Sequence, residues 1–194
     1  MHNSPDSQLI ADYLSGDEKS LELLIQSYLK PIYSFVYRHV GDAQDTEDIT
    51  QQVFVKVWRN LKKFDQQKNF KPWIFAIAKN TSIDFLKRSR SASGGKKEIP
   101  FSKFVNTAGV GILAETLTDP AALPDKLLEW KDITQMLYSA MENLSVPYRM
   151  VLFLRYNDHF TFREIAEALE EPLHTVKSRH RRALIKLKKL LTET

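Results

Sequence analysis

Lys177, Arg179, Arg181, Arg182, Lys186, Lys188 and Lys189 crowd the stretch Pro172–Leu191, where a fixed density of cations meets an apolar periodicity. Val176, Ala183, Leu184, Leu187, Leu190 and Leu191 fall at three- and four-residue spacing there, which predicts a helix with one stripe facing a core. The chemistry open to the other faces is recognition of a polyanion: arginine forks match guanine acceptors, and either cation neutralises phosphate. A second cationic block lies upstream. Lys62-Lys-Phe-Asp-Gln-Gln-Lys-Asn-Phe-Lys71 carries Phe64 and Phe70 at its ends, and the segment after it adds Lys79, Asn80, Lys87 and Arg88. Lysines interleaved with exposed rings suit an unpaired strand, the charge following phosphate and each stacked ring contributing roughly 1–3 kcal/mol. A third cluster, Asp42-Ala-Gln-Asp-Thr-Glu-Asp48, is acidic. Glu47 and Asp48 would point about 100° apart on a helix, and no histidine lies within seven residues of either. The cluster therefore reads as helix-capping carboxylates at the positive end of a dipole rather than a metal or acid–base site.

The elements that must position these residues are helical. Thr161 with Glu164 three residues on forms a capping box ahead of Phe162-Arg-Glu-Ile-Ala-Glu-Ala-Leu169, and the turn 170–173 leads into the basic helix. Short helix, tight turn and longer basic helix make a helix-turn-helix pattern, whose second helix enters the major groove. Two antiparallel helices with a solvated basic face would share the pattern. Further upstream, helices are expected over Ser7–Ser15 and from Asp17 through a kink at Pro31 to a stop at Gly41. Another is expected from the acidic cluster to Leu61, burying Ile49, Val53, Val57 and Leu61 and leaving Asp48, Gln51, Gln52 and Val55 on a separate face. Pro72 belongs in the first turn of the next helix, which runs to Arg88 and whose first half is apolar enough to be central. From Ser89 the period stops, and it resumes at Leu127.

Composition agrees with this division. The 194 residues have a net charge of +4 at pH 7, spread as −4 over residues 1–60, +8 over 61–103, −5 over 104–170 and +5 over 171–194. Two basic blocks, each behind an acidic one, imply two separate polyanion-contacting surfaces. With no cysteine there is neither a disulfide nor a thiolate zinc site, and a reducing cytoplasm is the expected compartment. No 18-residue apolar run is present, and the N-terminus lacks the basic and apolar regions of a signal peptide. The expected architecture is all-α: two small helical domains, residues 1–90 and 126–194, joined by an extended linker over 91–125. The second is expected to be a four-helix domain containing the helix-turn-helix.

Three stretches resemble the extracytoplasmic-function (ECF) sigma factors of bacterial RNA polymerase. Asp45-Thr-Glu-Asp-Ile-Thr-Gln-Gln-Val-Phe-Val-Lys-Val-Trp58 is similar to the family's core-binding helix, usually D-A-E-D-L-x-Q-E-x-F. Phe70-Lys-Pro-Trp-Ile-Phe-Ala-Ile-Ala-Lys-Asn80, with Asp84 and Arg88 beyond, resembles the helix that reads the −10 element. Leu144-Ser-Val-Pro-Tyr-Arg149, Leu154-Arg155, Glu164-Ile-Ala166, Thr175-Val-Lys-Ser-Arg179 and Arg182-Ala183 resemble the −35-binding domain. The chain departs from the family at Glu170 and His174, where glycine is usual, and at Thr46 and Gln52, which replace alanine and glutamate.

The resemblance implies a non-catalytic protein without a cofactor or metal, which binds core RNA polymerase through its β and β′ subunits, recognises promoter DNA and assists its melting. It implies core contacts at Asp48, Gln51, Gln52 and Val55, and −10 contacts at Phe64, Lys68, Phe70, Lys79 and Asn80. Contacts at the −35 element would fall to Arg155, Thr175, Lys177, Ser178, Arg181 and Arg182, with Arg155 on a phosphate. Duplex and single-stranded DNA and an anti-sigma factor are the further partners expected. Two other readings stay open on the residues alone. A helix-turn-helix regulator that needs no stable polymerase binding leaves the 62–88 block unexplained. A nucleic-acid enzyme would need the 42–48 carboxylates to converge.

Overall fold

Helices α1, α2 and α3 each begin where a side chain takes up one of the first, unbonded N–H groups of the helix. The structure, a computed structural model, describes residues 4–92, 136–137 and 139–192. Helix α1 (Pro5–Leu14) opens behind Ser4, whose hydroxyl accepts from Ser7 N at 3.2 Å. Asp17 caps α2 (Glu18–Val40), accepting from Lys19 N at 3.1 Å and from the Ser20 hydroxyl at 2.7 Å. That helix carries Pro31 within it and ends at Gly41, whose φ of 72° is the left-handed conformation glycine adopts at least cost. Asp42 caps α3 (Ala43–Leu61) through Asp45 N at 3.1 Å, and its own carbonyl accepts from the Thr46 hydroxyl at 2.6 Å. Helix α4 (Phe70–Ala92) runs a turn beyond the point where apolar periodicity stops in the sequence.

The described residues group into two compact units, 4–92 with the short segment 166–171, and 136–165 with 172–192. In the first, α1 packs on α2, while α2, α3 and α4 pack on one another. Ile32, Val36, Ile49, Val53, Leu61, Ile74 and Phe75 fill the space between them and are fully buried. Each such side chain contributes about 1.5–3 kcal/mol. The apolar first half of α4 is central, as its composition predicts.

The second unit contains α5 (Val146–Tyr156), α6 (Phe162–Leu169, its last residues grouping with the first unit) and α7 (Leu173–Thr192). Residues 139–142 precede them as the end of a further helical stretch. Arg149 ties that end to α5 by donating from Nη1 to the carbonyls of Glu142 and Leu144, at 2.9 and 2.7 Å. The capping box at Thr161 forms reciprocally: Glu164 N donates to the Thr161 hydroxyl at 3.2 Å, and Thr161 N to the Glu164 carboxylate at 2.7 Å. Helix α7 packs on α5 through the buried Val176 and Ala183. The start of the helix expected from Leu127, and the linker expected over 91–125 apart from residues 91–92 of α4, lie outside the described residues. Among the described residues no helix is long and apolar enough to cross a membrane.

Candidate nucleic-acid interface

Helix α3 separates the residues expected to contact core polymerase from its buried stripe by half a turn. Ile49, Thr50, Val53, Val57 and Leu61 face inward, while Asp48, Gln51, Gln52 and Val55 are exposed on the other side. Trp58 extends that outward face: it stands three residues after Val55 and seven after Gln51, and is 53% exposed, Val55 being 44%. Periodicity alone does contain this signal, because Trp58 falls off the buried 49–53–57 stripe. A half-exposed Trp–Val pair bordered by amides and a carboxylate has the composition of a protein-docking face, where aromatic anchors carry most of the binding.

The 62–71 loop corrects one expectation. Lys62, Lys63 and Lys68 are exposed, and an Asx turn at Asp65, accepting from Gln67 N at 3.0 Å, shapes the segment. Phe64 and Phe70, however, are buried at 9% and 3% exposure. Phe70 meets Tyr28 edge-on at 5.3 Å between centroids and Phe64 at 5.7 Å, and both lie against Trp73, at 4.9 Å from Phe64 and 5.5 Å from Phe70. Rings that pack on one another offer no open face to a base. Their role is to anchor the loop on α2 and α4, so that base stacking on Phe64 or Phe70 is not available in this conformation.

Asn80 is exposed on α4, one residue from Lys79, which is buried. The Lys79 ammonium donates to the Leu169 carbonyl at 2.9 Å and pairs with the Glu170 carboxylate at 2.7 Å, all within the first unit. Asn80 Nδ2 donates to the same carboxylate at 3.2 Å. These hydrogen bonds, that from Lys79 first, hold the Glu170 carboxyl below its ordinary pKa despite some desolvation. Glu170 adopts φ 55°, the left-handed conformation that glycine would take more cheaply at this turn.

In α7, Lys177, Arg181 and Arg182 are exposed and Thr175 and Ser178 half-buried, opposite the buried Val176 and Ala183. The expected −35 set is thereby brought together on the outer side of one helix. Arg155 stands apart from it at the end of α5. Its Nη1 donates to the Phe160 carbonyl at 2.8 Å and its guanidinium carbon lies 5.1 Å from the Phe162 ring centre. That pins the group while leaving the other guanidinium donors out of this bond. Among the described residues no cluster of three or more His, Cys, Asp or Glu side chains could hold a metal ion.

Comparison with known proteins gives the same two regions. Residues 24–92 match the family Sigma-70 region 2, and residues 134–187 match Sigma-70, region 4. The chain is 31% identical over 183 residues to the ECF RNA polymerase sigma-E factor of Escherichia coli strain K12, covering 92% of this chain and 90% of that protein. It is 28% identical over 178 residues to the ECF RNA polymerase sigma factor SigW of Bacillus subtilis, covering 92% of each. Its fold is shared with CnrH, solved in complex with the cytosolic domain of CnrY, at a TM-score of 0.64, 21% identity and coverage of 98% and 99% of the two chains. It is also shared with the sigma factor RpoE of Bartonella quintana, solved in complex with the anti-sigma factor NepR, at a TM-score of 0.59, 20% identity and coverage of 90% and 98%.

Proposed function

Because the chain belongs to the ECF sigma factors of the sigma-70 family, and so directs promoter-specific transcription, we propose how its surfaces divide that task. The α3 face of Asp48, Gln51, Gln52, Val55 and Trp58 docks on core RNA polymerase, at its β and β′ subunits. Lys68 and Asn80 engage the unpaired strand of the −10 element, with Phe64 and Phe70 holding the loop beneath them. Lys79, whose charge is paired with Glu170, belongs to this region as support for Asn80. Thr175, Lys177, Ser178, Arg181 and Arg182 read the −35 duplex, the arginines by bidentate bonds to guanine worth roughly 1–3 kcal/mol of discrimination each. Arg155 contacts a flanking phosphate with the guanidinium donors that Phe160 leaves over.

The observation that carries this reading is the half-turn separation on α3, where a continuous buried stripe backs an exposed apolar–amide face. An anti-sigma factor is the further protein partner we propose, in keeping with the solved RpoE complex of the same fold. A regulator working without polymerase is the less favoured alternative, since it leaves the α3 face and residues 62–88 without a role. The test is a pull-down of core polymerase by the full chain and by its Asp48→Arg, Gln51→Ala variant. The parent retains core and the variant loses most of it while keeping its helical circular dichroism; equal retention by both refutes the docking face.

A further inference from the structure

The C-terminal end of α5, the first turn of α6 and the middle of α7 meet in one chain of contacts. Arg155 lies over the Phe162 ring, 5.1 Å from its centre. Phe162 meets the His180 ring edge-on at 4.9 Å, with planes at 75°. His180 in turn lies 5.7 Å from Tyr156 at 33°, and its Nε2 is 3.1 Å from the Tyr156 hydroxyl. Arg155 and Tyr156 are neighbours, so the chain of contacts closes on itself. It also spans the 157–161 loop, where His159 adopts φ 55° and Phe160 is fully buried.

Burial first, and then the Arg155 guanidinium, hold the His180 imidazole below its ordinary pKa of 6.5. It is therefore uncharged at neutral pH, and Nε2 can accept the hydroxyl proton of Tyr156 when Nδ1 carries the ring hydrogen. Tyr156 is 57% exposed, and the hydrogen bond and ring contact to His180 hold it against α7. His180 sits between the buried Val176 and Ala183 along α7, four residues after one and three before the other, and immediately before Arg181 and Arg182. Any rotation of α7 about its axis moves His180 and the two arginines together.

We infer that Tyr156, Phe162 and His180 form a brace that fixes the rotation of α7, so that Tyr156 and His180 are positioning residues for base recognition by Arg181 and Arg182. This rests on the reading of α7 as the base-reading helix. The brace acts on specificity rather than on charge, because its contacts are ring packing and the Tyr156–His180 hydrogen bond.

The experiment uses holoenzyme assembled from the full chain and core polymerase, selecting from a promoter library randomised in the −35 element at two salt concentrations. Tyr156→Phe keeps the ring and removes one hydrogen bond; His180→Ala removes the ring; His180→Gln restores an acceptor. Tyr156→Phe and His180→Ala should each lower discrimination at one or more −35 positions by about three- to tenfold, the range of a single net hydrogen bond. The salt slope should not change, and His180→Gln should recover part of the discrimination lost in His180→Ala. A general loss of stability would lower the melting temperature without altering which sequences the folded protein selects. Discrimination unchanged in both Tyr156→Phe and His180→Ala overturns the brace, as does a salt slope shallower by about one, which marks a direct phosphate contact. Arg181→Ala and Arg182→Ala run alongside. If they alter selection and the brace variants do not, the brace alone fails; if they leave it unaltered as well, it is the base-reading role of α7 that fails.

Discussion

Trp58→Ala isolates the apolar end of the α3 face proposed to dock on core polymerase. The residue is 53% exposed, so with about 250 Å² for a whole tryptophan roughly 130 Å² stands open to a partner. At about 25 cal/mol per Å², complete burial would contribute about 3 kcal/mol as an upper bound. Side-chain ordering and imperfect desolvation take back a part, so a loss of about 1.5–3 kcal/mol is expected, which is roughly 10- to 150-fold in Kd. Folding should be little affected. The buried stripe of Ile49, Val53, Val57 and Leu61 does not include Trp58, and alanine has the best helix propensity, so stability should move by no more than about 0.5 kcal/mol. The assay is an equilibrium titration of fluorescently labelled full chain with core polymerase, paired with thermal unfolding. A Kd within about twofold of the parent, in a preparation where Asp48→Arg does weaken binding, would refute the apolar part of the face. It would leave the interface to the amides and carboxylate.

Four further outcomes are expected. Asn80→Ala should slow promoter opening, seen as weaker permanganate reactivity at the −10 element, with a melting temperature near that of the parent; Phe64→Ala, which empties a ring from the Tyr28–Phe70–Trp73 cluster, should instead destabilise the fold by about 3–5 kcal/mol. Thr161→Ala removes the acceptor of Glu164 N and should cost about 1 kcal/mol by thermal denaturation. The pKa of His180 is lower folded than unfolded, so its contribution to stability is complete above about pH 6.5 and declines as pH falls through the folded value. The unfolding midpoint of His180→Gln should therefore fall less steeply than that of the parent between neutral and mildly acidic pH.

What the sequence discloses here depends on how local the cause is. Asp17, Gly41, Asp42 and the Thr161–Glu164 box act within four residues of themselves, and their roles as caps are legible without coordinates. So is the buried stripe of α3, because 3.6-residue periodicity is a property of one segment. The aromatic ends of the 62–71 loop are misread for the opposite reason. Phe64 and Phe70 lie outside any clear period, and their partners Tyr28 and Trp73 come from two other segments. Lys79 reads as a solvated cation until a carboxylate 91 residues away is placed beside it. Arg155 reads as free for phosphate, whereas a carbonyl five residues on and a ring seven residues on pin it. The order of the matched motifs still identifies the family, and the exposed residues proposed for docking and base reading lie on helix faces that periodicity predicts.

Pro31 gives α2 an uneven grain. With no N–H it cannot donate to the Ser27 carbonyl four residues earlier, so one rung is missing near the middle of a 23-residue helix. On the N-terminal side of that gap, α1 is fastened to α2 by the hydroxyl of Tyr28 on Asp6 at 2.6 Å and by the burial of Ile10 and Leu24. On the C-terminal side, Phe35 stacks edge-on with Phe75 of α4 at 5.0 Å, and Val36 and Val40 enter the shared core. A missing rung with separate contacts on either side marks a boundary between units of cooperative opening. Amide protons of α1 and the first half of α2 should exchange with solvent together, and sooner than those of the half bound to α3 and α4. The α3–α4 part of the first unit would then keep its shape while the α1–α2 hairpin breathes.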